Sequence, residues 1–159
     1  MLREKNIEVF DRPPHGSKEF FLLEELSNLE CLFASHNLIK DIYGISQISN
    51  LRELNLSFNL ISDITPIEEL VSLEKLHLNR NKVSFIEPLL KLVSLKCLGL
   101  FHNEIINSQK SLEIFAHLAM NFKLTELSIE GNPITSTSKF RNQILVSIPQ
   151  IEILDDEKI

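Results

Sequence analysis

The chain has 159 residues, 43% of them hydrophobic, and a formal net charge of −6 at pH 7. That length suits one domain, and the acidic balance, with a pI near 5.4, disfavours the basic stripe that a sequence-blind grip on nucleic acid requires. The opening residues mix acid and base with no apolar run behind them, so no secretory leader is read; the longest early apolar run, Phe20–Leu23, is far short of a membrane span.

In chain order, residues 1–28 read as a degenerate first unit. Ile7, Phe10, Phe20, Leu23 and Leu26 keep the spacing of the later units, the middle is polar, and Pro13-Pro14-His15-Gly16 predicts a loop. From Leu29 a phrase recurs: Leu29, Leu32, Ala34, Asn37; then Leu51, Leu54, Leu56, Asn59; then Leu73, Leu76, Leu78, Asn81; then Leu95, Leu98, Leu100, Asn103; and last Leu124, Leu127, Ile129, Asn132. The first four asparagines stand 22 residues apart. This delimits units 29–50, 51–72, 73–94 and 95–123, with 124–159 as the last repeat and its cap. Positions 4 and 6 of each unit alternate inward as a strand requires. The later apolar positions recur every third residue, which predicts a short 3₁₀ return segment. Thr65-Pro66 and Glu87-Pro88 open two of these, where a missing N–H costs nothing.

The fourth unit is longer. Leu112, Phe115, Leu118, Ala119 and Phe122 make one helical face, so a true α-helix is predicted over 109–122, capped by Asn107 or Ser108. Phe140, Ile144 and Ile148 are spaced by four, which predicts a helix over Ser138–Ile148 that stops near Pro149. Ile151–Asp155 then reads as a last short strand.

This is the signature of a leucine-rich repeat. It predicts an α/β solenoid: a right-handed superhelix with a parallel sheet on its concave face, short 3₁₀ or helical convex segments and a helical C-terminal cap. Each unit buries its apolar face only against its neighbours. Function is thereby directed toward a long binding surface rather than a catalytic cleft.

The convex phrase I-x-x-I-x-x-L-x-x-L resembles the 22-residue intracellular subclass of these repeats. The ending Glu130-Gly131-Asn132-Pro133-Ile134, with Phe140-Arg141-Asn142, Ile144-Leu145, Ile148-Pro149-Gln150-Ile151 and Leu154-Asp155, resembles a C-terminal cap shared by several families. They include the A-prime subunit of a spliceosomal ribonucleoprotein, the acidic leucine-rich nuclear phosphoproteins, the leucine-rich axonemal dynein light chain, and leucine-rich ciliary and centrosomal proteins. The resemblance covers residues 29–157. It implies a non-enzymatic module that binds a protein partner in a ciliary, centrosomal or other cytoskeletal assembly. The alternatives are a ribonucleoprotein subunit, which would place the chain in the nucleus, and a docking regulator of a phosphatase or kinase. Two departures bear on this: the leucine-rich phosphatase subunit has more repeats, and of an acidic tail only Asp155-Asp156-Glu157 is present. Secreted relatives carry disulfide-rich end caps, whereas the two cysteines here lie in neither end segment, so an intracellular setting is expected. The sequon Asn55-Leu56-Ser57 is then a chance match.

In such a solenoid positions 3, 5, 7 and 8 of each unit point out of the concave sheet. The candidate partner-binding residues are Phe33, His36, Asn55, Phe58, Lys75, His77, Arg80, Phe101 and His102. Phenylalanine and arginine on such a face serve no folding purpose and suit a binding hot spot for a helix or loop of another protein. No cofactor, small-molecule substrate, membrane or direct nucleic-acid contact is expected. The column Asn37, Asn59, Asn81, Asn103 and Asn132 is read as structural, its amides satisfying backbone groups of neighbouring turns. His36, His77 and His102 lack a metal-ligand spacing. Cys97 and His77 are offset diagonally by roughly 7–8 Å, too far for a thiol–imidazole pair, and no catalytic motif is visible. Cys31 and Cys97, three strands apart at roughly 14 Å, are expected to be free thiols. Phe21 and Phe85 are expected to be exposed outside the concave face.

Overall fold

The computed structural model describes residues 28–120, 123–137 and 139–159. The degenerate first unit, apart from Asn28, lies outside the described residues, and so do the Pro13–Gly16 loop, Phe21, Phe122 and Ser138.

An inward leucine between two outward residues makes a three-residue strand in each repeat. These are β1 (Cys31–Phe33), β2 (Glu53–Asn55), β3 (Lys75–His77), β4 (Cys97–Gly99) and β5 (Glu126–Ser128), followed by β6 (Ile153–Leu154) and β7 (Glu157–Lys158). They lie side by side in sequence order in one open sheet. Pairing is parallel from β1 to β6. The register sets Leu32, Leu54, Leu76, Leu98, Leu127 and Leu154 in one inward row.

The return segments are 3₁₀ turns at Tyr43–Gln47, Thr65–Glu69 and Glu87–Lys91. Pro66 and Pro88 sit in their first turns. The carboxylates of Asp41 and Asp63 accept from the amides of Tyr43 (2.7 Å) and Thr65 (2.8 Å), which turns the chain into two of these segments. The isoleucines and leucines that recur every third residue, from Ile42 and Ile45 through Leu89 and Leu92, are fully buried. The core is thus one apolar column running between sheet and return segments.

The extra length of the fourth unit becomes α1 (Gln109–Ala119). Of the two capping residues offered by the sequence, Ser108 is the one used: its hydroxyl accepts from the Ser111 amide at 3.1 Å. Ile114, Phe115 and Leu118 face the core. A 3₁₀ turn at Pro133–Ser136 leads to α2 (Phe140–Ser147), shorter than the span expected to run to Ile148. The Ile148 amide still closes the helix on the Ile144 carbonyl, but its own backbone has left helical geometry ahead of Pro149. Phe115 and Phe140 meet edge to face, 6.3 Å apart, and lock the two helices together.

The last strand also differs from the expectation. It is confined to Ile153–Leu154 and turns back into antiparallel β7. Asp155 and Asp156, at φ 52° and 64°, form the two-residue turn. Both positions need positive φ in such a hairpin, and aspartate tolerates it better than most residues. Arg141 of α2 braces the hairpin through Glu157 at 2.7 Å.

Candidate functional site

Each strand ends on a shared backbone device. Position 8 of every described unit is left-handed: His36 (φ 57°), Phe58 (59°), Arg80 (54°), His102 (52°) and Gly131 (78°). The sequence pattern alone casts this position as a plain outward strand residue. The ladder in fact ends before it, and the chain reverses there so that the following asparagine points inward. The conformation is held by the next unit: the amides of His36, Phe58, Arg80 and His102 donate to the carbonyls of Ser57, Asn79, Phe101 and Glu130 at 2.7–3.0 Å.

The asparagines complete this frame. Asn81 donates from Nδ2 to the Leu56 carbonyl of the preceding unit and the Leu78 carbonyl of its own, both at 3.0 Å, and its Oδ1 accepts from the Ile61 amide at 3.0 Å. Asn59, Asn103 and Asn132 repeat the pattern one unit earlier or later. Asn37 donates to the carbonyl of Ala34. All five are buried.

With the backbone reversed, the position-8 side chains stand at the rim of the concave face and, with Phe101 from position 7, form a chain of contacts. His36 stacks on Phe58 at 4.1 Å, nearly parallel. The guanidinium of Arg80 lies over Phe58 on one side (5.5 Å) and over Phe101 on the other (5.6 Å). Phe101 meets His102 edge to face at 4.2 Å. Gly131 ends the row because a Cβ there would come within 2.6 Å of the His102 ring. Five of the nine residues singled out in the sequence therefore form one continuous strip. Phe58 remains 42% exposed within it.

The other four lie on the sheet floor. Phe33, Asn55 and His77 share one row with Gly99 and Ser128. Lys75 lies in the row of Cys31, Glu53, Cys97 and Glu126, with its ammonium 3.8 Å from Glu53. Asn55 is taken up locally, accepting from the Ser57 amide at 3.0 Å. Ser57 itself is buried rather than outward.

The floor hollows out toward β4 and β5, where a cavity of about 210 Å³ is lined by His77, Asn79, Cys97, Phe101, Glu126 and Asp156. Gly99 makes it possible: Asn79 lies across the space a Cβ would fill, 2.8 Å away, and accepts from the Phe101 amide. Neither the hollow nor Asp156 stands out in the sequence; the lone glycine in a row of side chains is the available signal. Burial lowers the pKa of His77; the charge of Glu53 opposes this, that of Lys75 reinforces it, and that of Glu126 opposes it. Burial, reinforced by a hydrogen bond to Glu126, pushes the Cys97 thiol up to about 12, so at neutral pH it is not the thiolate that nucleophilic chemistry requires. Cys31 is exposed, and both cysteines are free thiols. Phe85, on the convex side, is exposed beneath the ammonium of Lys110, which also pairs with Glu87. Among the described residues no group of three or more His, Cys, Asp or Glu side chains is placed to hold a metal ion. Among the same residues no helix is long and apolar enough to cross a membrane.

A family model of leucine-rich repeats in two copies matches residues 27–69. No curated protein matches the chain. Among solved structures it is similar to an internalin (InlF) of Listeria monocytogenes, with a TM-score of 0.71 and 26% identity over 86% of this chain and 37% of that one. Internalin C2 of the same organism gives 0.68 and 26%, over 83% of this chain and 53% of that one. The chain thus spans 37% and 53% of the length of these two internalins. The Drosophila melanogaster SNF/U2A′ complex gives 0.64 and 23%, over 86% of this chain and 83% of that one; at that identity the likeness is one of fold. Sheet, register, asparagine frame and comparisons together define a leucine-rich repeat solenoid, a class that generally works as a protein-interaction module.

Proposed function

We propose that this chain is a non-enzymatic module that binds a partner protein on its concave face, centred on Phe58, Arg80 and Phe101. One observation carries the reading: an arginine is held between two aromatic rings on a rim where the fold itself needs neither. Aromatic and arginine side chains in a restrained, contiguous strip are what interface hot spots are made of. Phe33, His77, Lys75 and Asn55 supply the floor that a helix or loop would cross.

The cellular setting rests on the resemblance of the C-terminal cap. On it, the chain works in a ciliary, centrosomal or other cytoskeletal assembly in the cytoplasm. A second reading is favoured by the near-complete mutual coverage with a protein of the SNF/U2A′ complex: a ribonucleoprotein subunit that holds an RNA-binding protein rather than RNA. The net charge of −6 suits that indirect role. A regulatory dock for a phosphatase or kinase is the remaining use of the same face.

Affinity capture from cell extract, wild type against Phe33/Phe58/Phe101→Ser, tests the proposal. Partners that disappear with a folded triple variant support it; partners that persist place the contact elsewhere. Motor or cytoskeletal proteins among them favour the first setting, ribonucleoproteins the second. If RNA is bound directly, its affinity will fall steeply with added salt.

A further inference from the structure

Resting on the concave-face reading, the geometry points to a specific chemistry for the partner: we infer that its contact segment presents an aspartate or glutamate side chain to Arg80, flanked by apolar residues. Arg80 is exposed. The rings of Phe58 and Phe101 restrain it from both sides, at 5.5 and 5.6 Å. Among the described residues no carboxylate pairs with its guanidinium, whereas Arg52 and Arg141 both carry carboxylate partners.

A guanidinium offers five N–H donors in a rigid fork that fits one carboxylate with two parallel bonds. Holding it between rings removes rotamer freedom before binding, so less is lost when the fork engages. The sign of the strip agrees. Its members are His36, Phe58, Arg80, Phe101 and His102, and it carries a positive charge on a chain whose net charge is −6. Glu130 belongs to the unit beyond His102. Phe58 and Phe101 flank the arginine with apolar surface, which asks for apolar residues on both sides of the acid. The carboxylate therefore belongs inside a segment rather than at a chain end.

A random-peptide library with amidated C-termini, selected on the intact chain, supplies the probe. Enriched peptides are then synthesised and measured against wild type, Arg80→Lys and Phe58→Ser. Peptides that carry Asp or Glu between apolar residues, and that weaken about tenfold with either Arg80→Lys or replacement of the acid by its amide, bear the inference out. Arg80→Lys keeps the charge and the backbone demand, and its urea midpoint checks folding. Peptides that depend on Phe58 yet bind Arg80→Lys as well as wild type, or that lack an acid, overturn the carboxylate and leave the concave site standing. Absence of any selected peptide sensitive to Phe58→Ser overturns both.

Discussion

At the scale of single residues, the strand ends decide both stability and surface. Asn81 satisfies two buried carbonyls and one buried amide at once. Each buried group left without a partner costs about 1–3 kcal/mol. Asn59 and Asn103 still donate to the Leu56 and Leu78 carbonyls, so Asn81→Ala strands only the Ile61 amide and should lower stability by about 2 kcal/mol, read from the urea midpoint. A loss below about 1 kcal/mol would mean that water replaces the amide. The two glycines make a controlled pair. Gly131 combines φ +78° with a Cβ path blocked by the His102 ring at 2.6 Å. Gly131→Ala should therefore cost about 2 kcal/mol, since left-handed backbone alone costs an L-residue about 1–2. At Gly99 the obstacle is the side-chain end of Asn79, which can turn aside at the loss of its bond from the Phe101 amide, so Gly99→Ala should cost less while closing the hollow. Equal losses at the two sites would contradict this account. The asparagines were legible because a polar residue recurred at the end of every apolar phrase. The left-handed turn before them was not, since phenylalanine and arginine rarely adopt positive φ and histidine, though it does so more often, occupies only two of the five positions. That is why five scattered candidates in the sequence become one strip only in the structure.

At the scale of elements, one architecture accepts either a 3₁₀ turn or an α-helix as its return segment, and chain length chooses between them. Apolar residues every third place fit the 3₁₀ segments at Tyr43–Gln47, Thr65–Glu69 and Glu87–Lys91. The longer fourth unit has room for α1. Both were readable from spacing, because period reports which face must be buried. The β6–β7 hairpin was not. Its two-residue strands carry no periodic signal, and its turn is Asp155-Asp156 rather than the commoner glycine pair. The joint between α1 and the cap depends on Phe115, which is fully buried and meets Phe140 edge to face. Phe115→Ala should cost about 4 kcal/mol, the range for emptying a buried aromatic site. The strip on the concave rim lies outside that joint, so peptide affinity per folded molecule should stay unchanged. Unfolding enthalpy and peptide titration on the same sample separate the two effects, and a parallel loss of affinity would show that the cap shapes the binding face.

At the scale of the whole molecule, stability has no single centre. Each unit is buried between its neighbours, so a unit in the middle rests on two interfaces and one at the end on one. Leu76 sits in the inward row between Leu54 and Leu98, while Leu154 has a parallel partner only in Leu127 and a short antiparallel strand beyond. Both are buried to about 1% exposure or less, so the side chains lose the same environment when truncated and differ only in place. Leu76→Ala should therefore raise hydrogen exchange in β2, β3 and β4 together, at a cost of about 3 kcal/mol. Leu154→Ala should speed exchange in β6 and β7, reach β5 weakly, and leave β2 and β3 near their wild-type rates. The concave strip spans the units of Phe58, Arg80 and Phe101, so the central substitution should also loosen the partner site, whereas the terminal one should spare it. Hydrogen exchange resolved by peptide, on both variants under native conditions, decides the matter. Uniform loss of protection in both would mean that the array folds as one cooperative block, and the binding strip would then be only as stable as its weakest end.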